Sequence, residues 1–174
     1  MEKSALIDTD VNYDWNFLNY PIHTVSANPE KSSKECAILL IHGFGASTDH
    51  WRFNIPILSK KYEVHAMDLL GFGKSPKPQD VEYSGSLWKD QVIAYVKQKI
   101  KKPTIVVGNS LGGYAALAAG SELNELNAGV ILLNAAGYFS EEKTIKKNML
   151  KTSIETVAGI FLKNVVLQRL IFEN

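Results

Sequence analysis

Short uninterrupted apolar runs alternate along this chain with longer segments in which apolar residues recur every three or four positions, a pattern that predicts strands separated by helices. The runs are 36–41 (CAILLI), 104–107 and 128–133, and 62–67, with Glu63 and His65 inside it, makes a further strand. The run 36–41 has no polar residue at every second position, so it reads as a strand of a mostly parallel sheet covered on both faces. Between them, 47–60 predicts a helix with Ser47 or Thr48 as N-cap, Trp51, Ile55 and Leu58 on one face, and Pro56 as a candidate kink. Residues 84–101 predict an amphipathic helix with Leu87, Val92, Ile93, Val96 and Ile100 facing inward, and a small-residue helix begins near Leu111. Nearer the N-terminus, 15–17 and 20–25 predict a short antiparallel strand pair with Asn19 at the turn, followed by a polar loop over 26–34. Beyond position 140 the chain is richer in Lys and Glu, and Ile154, Val157, Ile160, Phe161, Val165, Leu167 and Leu170 are spaced as one or two amphipathic helices. The expected organisation is a doubly wound α/β core over 12–139 with a helical segment over 140–174.

Composition narrows the function classes. The chain has 174 residues, 45% hydrophobic and 21% charged, which suits one globular domain with a real core. A net charge of +1 offers no footprint for nucleic acid. No stretch reaches the roughly 20 apolar residues that span a bilayer, and the first ten lack the apolar centre of a signal peptide, so a cytoplasmic protein without a transmembrane segment is expected. The single cysteine, Cys36, opens an apolar strand and reads as a buried, inert thiol, in keeping with a reducing compartment.

The chemistry concentrates at strand ends. In 103–120, PTIVVGNSLGGYAALAAG, a β-branched run passes into a helix through Gly108-Asn109-Ser110-Leu111-Gly112. A strand that turns that sharply strains the central residue and holds Ser110 out at the strand's carboxyl end, with the positive end of the following helix aimed at the same place. The run 36–41 delivers a second loop, His42-Gly43-Phe44-Gly45, whose glycines let the backbone approach a ligand. Together they suggest a nucleophile, Ser110, and two oxyanion donors, the N–H groups of Phe44 and Leu111. His42 sits in the oxyanion loop and reads as structural, with Gly43, Gly45, Asn109 and Gly112 supporting the same loops. Asp68 precedes a glycine-punctuated loop, Gly71-Phe72-Gly73-Lys74-Ser75, and reads as its backbone acceptor. His23, with no acidic neighbour in sequence, receives no catalytic weight; His50 and Trp51 stand near a pocket rim, where Trp51 serves equally well as packing.

With these motifs in place the chain resembles the α/β-hydrolase superfamily, in His42-Gly43-Phe44-Gly45, Asp68-x-x-Gly71-x-Gly73-x-Ser75 and Gly108-Asn109-Ser110-Leu111-Gly112-Gly113, in that order. It looks most similar to lid-bearing members related to epoxide hydrolases, haloalkane dehalogenases and pheophytinase-like esterases. The resemblance covers about 12–174, implies that 140–174 begins a lid, and implies ester or similar acyl chemistry on a small apolar substrate without a metal or organic cofactor.

The resemblance also implies an acid and a histidine after the nucleophile, and the chain has neither histidine nor aspartate beyond Ser110, the last being His65 and Asp90. Glu141 or Glu142 could stand in for the acid but not for the imidazole. The expectation is an incomplete α/β-hydrolase fold that ends within the lid, weakly active alone, with an unpaired sheet edge at 128–133 open to a complementing C-terminal fragment or to self-association. The alternative is a hydrolase remnant or scaffold that binds a small molecule or a protein without turnover.

Overall fold

In a computed structural model of the chain, the described residues are 9–12, 15–27 and 36–136. They fall within the first of two compact units, Met1–Gly137. The second, Tyr138–Asn174, lies outside the described residues, and with it the predicted lid segment, Glu141 and Glu142.

Among the described residues the main sheet has six strands. In chain order the strands are β1 (Thr9–Asn12), β4 (Thr24–Ala27), β5 (Ala37–Ile41), β6 (Glu63–Met67), β7 (Thr104–Asn109) and β8 (Asn127–Leu133), with β2 (Asn16–Phe17) and β3 (Tyr20–Pro21) forming a separate hairpin. Across the sheet the order is β1-β4-β6-β5-β7-β8. Strands β6, β5, β7 and β8 run parallel, while β4 joins β6 and β1 joins β4 antiparallel. The predicted class, a mostly parallel α/β sheet with an antiparallel N-terminal pair, is observed.

Strand β5 shows why CAILLI carries no polar alternate. Ala37, Leu39 and Ile41 enter one core with Met67, Val106 and the inner faces of α2 (Gly85–Tyr95) and α3 (Leu111–Gly120). Ile38 and Leu40 enter a second core with Val64, Ala66, Val107, Trp51 and Ile55 on the opposite face. Each buried Leu, Ile, Val or Met among them contributes on the order of 1.5–3 kcal/mol.

Several elements depart from the sequence reading, among them β8, expected as a buried strand but with Ile131, Leu132 and Leu133 exposed. The predicted strand 20–25 is split: Tyr20 pairs with Phe17, and the chain then passes through Ile22 and His23 into β4. His23 turns its backbone elsewhere, its N–H to Ser75 Oγ (3.1 Å) and its carbonyl to Asp68 N–H (2.9 Å), so one ladder cannot continue through it. Ser26 and Ala27, expected in a loop, complete β4 against His65 and Val64. The helix predicted over 47–60 forms as a 3-10 turn, Thr48–Trp51, followed by the short α1 (Ile55–Leu58) with Pro56 in its first turn. The helix over 84–101 starts at its Ser84 cap, whose Oγ accepts from Leu87 N–H at 3.2 Å, but widens to a π turn over Val96–Ile100 and stops at Lys101, φ 57°. The hairpin turn falls on Leu18 and Asn19, at φ 50° and 65°, the mirror-image turn that suits a two-residue connection.

The connections leave β5 towards β6 and β7 towards β8, in opposite directions along the sheet. The carboxyl ends of β5 and β7 therefore flank the switch point, where open α/β sheets hold ligands.

Candidate active site

Two loops meet at that switch point. Ser110 joins β7 to α3 at φ 51° and ψ −114°, a conformation that L residues adopt only under strain. Its carbonyl accepts from Gly113 N–H (3.0 Å), Tyr114 N–H (3.3 Å) and Ala136 N–H (3.0 Å), and its N–H donates to Leu133 O (3.0 Å). The backbone is thus held from both sides, and the side chain makes no capping bond to the helix. Leu111 opens α3, where an N–H has no carbonyl one turn earlier to bond.

Close approach explains the glycines. A Cβ on Gly108 would lie 2.1 Å from Gly112 O, and one on Gly112 would lie 2.5 Å from both Ile41 O and His42 O. A Cβ on Gly43 would lie 3.2 Å from Ser110 Cβ and 3.0 Å from Asn109 Oδ1, so the β5 loop rests directly against the turn. Gly45 takes φ 69°. Phe44 is exposed, its ring edge-to-face with Phe72 at 5.3 Å, and Phe72 in turn packs on His42 and Trp88.

His42 is fully buried, with both ring nitrogens engaged: Nδ1–H donates to Gly43 O (2.7 Å), and Nε2 accepts from Leu69 N–H (3.0 Å). Burial holds its pKa below the ordinary value of 6.5, against the opposing pull of the Gly43 carbonyl and Asp68. With the Nε2 lone pair taken, a neutral His42 ties the β5 loop to the β6 loop.

Asp68 closes a buried knot. Its Oδ1 accepts from Thr48 N–H (2.6 Å) and its Oδ2 from Lys74 N–H (2.7 Å), while its carbonyl accepts from Ser75 Oγ–H (2.9 Å) and Gln91 Nε2–H (3.2 Å). Gly73, φ 52°, leaves room for the carboxylate, because a Cβ there would lie 2.2 Å from Oδ2. His23, read from the sequence as lacking an acidic neighbour, faces this carboxylate, Nδ1 to Oδ2 at 3.0 Å. Only the folded chain brings the two together. Gln91, which the sequence reading passed over, also donates from Nε2 and accepts from Leu70 N–H (2.9 Å). A polar residue on the inward stripe of α2 was the available signal.

The other histidines lie elsewhere. His65 bonds Glu63 Oε1 (2.7 Å) and Tyr95 Oη (3.1 Å), while His50 is exposed beside Trp51. Among the described residues no histidine hydrogen-bonds Ser110. No cluster of three or more metal-ligating side chains is present among them, and no helix is long and apolar enough to cross a membrane.

Comparison with known proteins agrees with this architecture. The family model for the alpha/beta hydrolase fold matches residues 37–169. The chain is 38% identical over 119 residues to the 2-hydroxy-6-oxo-6-(2'-aminophenyl)hexa-2,4-dienoic acid hydrolase of Metapseudomonas resinovorans, covering 64% of this chain and 39% of that protein. It is 31% identical over 133 residues to the chloroplastic pheophytinase of Arabidopsis thaliana, covering 59% of this chain and 28% of that one. Among solved structures, a bacterial membrane phospholipase A superposes with a TM-score of 0.67 at 29% identity, covering 79% of this chain and 42% of the other. The chain thus spans about two fifths of the length of the curated relatives it matches first, 39% and 41%. Matched along most of its length by that family model, the chain belongs to the alpha/beta hydrolase fold family.

Proposed function

We propose that this chain carries the nucleophile half of a serine hydrolase acting on a small apolar ester or related acyl substrate. The observation that carries the reading is the strained Ser110 turn seated against Gly43 at the switch point of the sheet. In the proposed reaction Ser110 Oγ attacks the acyl carbon and gives its proton to an imidazole. The tetrahedral oxyanion accepts hydrogen bonds from the Phe44 and Leu111 N–H groups, and collapse expels the alcohol, which takes that proton. Water then hydrolyses the acyl-enzyme. Each N–H donor is worth on the order of 10²–10³ in rate, so Gly43, Gly45 and Gly112 matter to catalysis through the backbone they shape.

The imidazole is the missing part. His23, His42 and His65 hold bonds elsewhere, His50 stands beside Trp51, and no histidine follows Ser110. The reading therefore assigns the acid and the base to a complementing C-terminal segment, with the lid beginning in 140–174. A cytoplasmic setting fits the single Cys36, and the reaction calls for no cofactor.

A fluorophosphonate probe tests this. Labelling of the 174-residue chain is expected to be slow, abolished by Ser110→Ala and accelerated by free imidazole. Rapid stoichiometric labelling would show a base within the chain. No labelling at Ser110 even with imidazole would favour the second reading, a non-catalytic binding scaffold, which the engagement of the histidines elsewhere supports.

A further inference from the structure

From Ser47 to Tyr62 the chain is wound almost continuously, through His50 N–H to Ser47 O (3.0 Å), Asn54 N–H to Trp51 O (2.9 Å), Leu58 N–H to Asn54 O (2.9 Å) and Tyr62 N–H to Leu58 O (3.0 Å). Its inward side explains its packing: Trp51 and Ile55 are 3% and 5% exposed in the core under β5 and β6, with Leu58 packed against them. Its outward side carries a second apolar pair that the fold does not use. Phe53 is 69% exposed and Ile57 67%, four positions apart.

The charges around the pair are mostly positive. The Arg52 guanidinium lies over the Phe53 ring, 4.4 Å from its centroid, and donates to Asp49 O (2.9 Å). Lys60 and Lys61, both exposed, follow one turn beyond Ile57, and Asp49 is the one acidic residue between positions 47 and 62. In a chain of net charge +1, this positive charge is local. An apolar stripe rimmed by basic side chains with apolar stems complements a surface that is anionic at its face and apolar just beneath.

We propose that this outward face docks on an anionic lipid surface, with Phe53 and Ile57 entering the boundary between headgroups and acyl chains and Arg52, Lys60 and Lys61 against the lipid anions. The inference stands whether or not Ser110 reacts.

Co-sedimentation of the full chain with vesicles tests it. The chain is expected to pellet with phosphatidylcholine–phosphatidylserine vesicles, weakly with phosphatidylcholine alone, and to be released by high salt. Lys60→Gln with Lys61→Gln is expected to weaken binding about 25-fold, roughly fivefold per cation. Phe53→Ser with Ile57→Ser is expected to weaken it at least about tenfold. Leu18→Ser removes a side chain 53% exposed on the β2–β3 hairpin and is expected to leave binding unchanged. Equal binding to both vesicle types, undiminished binding by both double variants, or no pelleting with either vesicle would overturn the proposal. So would pelleting without vesicles that the Phe53/Ile57 variant abolishes, which would assign the face to contact between copies.

Discussion

The His23 imidazole and the Asp68 carboxylate lie 3.0 Å apart, Nδ1 to Oδ2, with both side chains shut away from solvent. The same carboxylate holds the first turn after the β5 loop through Thr48 and the β6 loop through Lys74, so losing it loosens both loops. Removing one partner of a buried pair costs about 3–5 kcal/mol. Asp68→Ala is expected to fall in that range by urea denaturation, and His23→Leu with Asp68→Ala to cost less than the sum of the singles. A loss below about 1 kcal/mol for Asp68→Ala would contradict the knot.

The strain at Ser110 is measurable as stability. At φ 51° a glycine pays no steric penalty, whereas alanine does. Ser110→Gly should be more stable than Ser110→Ala by about 1 kcal/mol, and melting curves of the two variants, both without the hydroxyl, isolate the backbone effect.

Gly108 is closed to any side chain. Its Cβ would fall 2.1 Å from Gly112 O, backbone that can yield only by moving the first turn of α3. Gly108→Ala is expected to cost about 1–3 kcal/mol and to remove fluorophosphonate labelling of Ser110 in the presence of imidazole. Labelling at the unaltered rate would show that the turn tolerates displacement.

His42 makes stability depend on pH near neutrality. Its folded pKa lies below 6.5 because burial disfavours the cation, so the unfolded chain takes up a proton first as pH falls. Its contribution is complete above pH 6.5 and declines as pH drops from there towards the folded pKa. Urea denaturation across that range should show a slope in the wild type that His42→Gln reduces.

Glu63 acts at lower pH. Burial raises its pKa, but hydrogen bonds from His65 and Lys102 together outweigh burial and hold the carboxyl below its ordinary 4.5. The Lys102 Nζ to Oε2 distance is 2.6 Å. The stability it contributes is present above pH 4.5 and is lost as pH falls through the folded pKa, so acid unfolding of Glu63→Gln should have a shallower dependence there.

The parallel strands, the Ser110 turn and the glycine loops were legible from the chain because each is set by a local pattern: short strand-forming runs, apolar throughout in β5, and glycines where a strand turns into a helix. Gly43, Gly108 and Gly112 stand where the backbone comes too close for a Cβ, a demand that leaves its mark directly on residue type. The family followed from the order of those same loops.

The rest required partners distant in sequence. A histidine at position 23 looks the same whether or not a carboxylate faces it, and Asp68 arrives only when β6 is laid beside β4. The break between β3 and β4 and the pairing of Thr9–Asn12 with β4 depend likewise on where hydrogen bonds find partners across the sheet. Helical spacing over 47–60 correctly marks Trp51 and Ile55 as inward, yet it cannot distinguish one long helix from a 3-10 turn followed by a short α-helix. Local sequence determined which residues want to be buried or to turn; the meeting of loops from β5, β6 and β7 decided which polar groups share one site, because their hydrogen bonds join residues that only the closed sheet brings within reach.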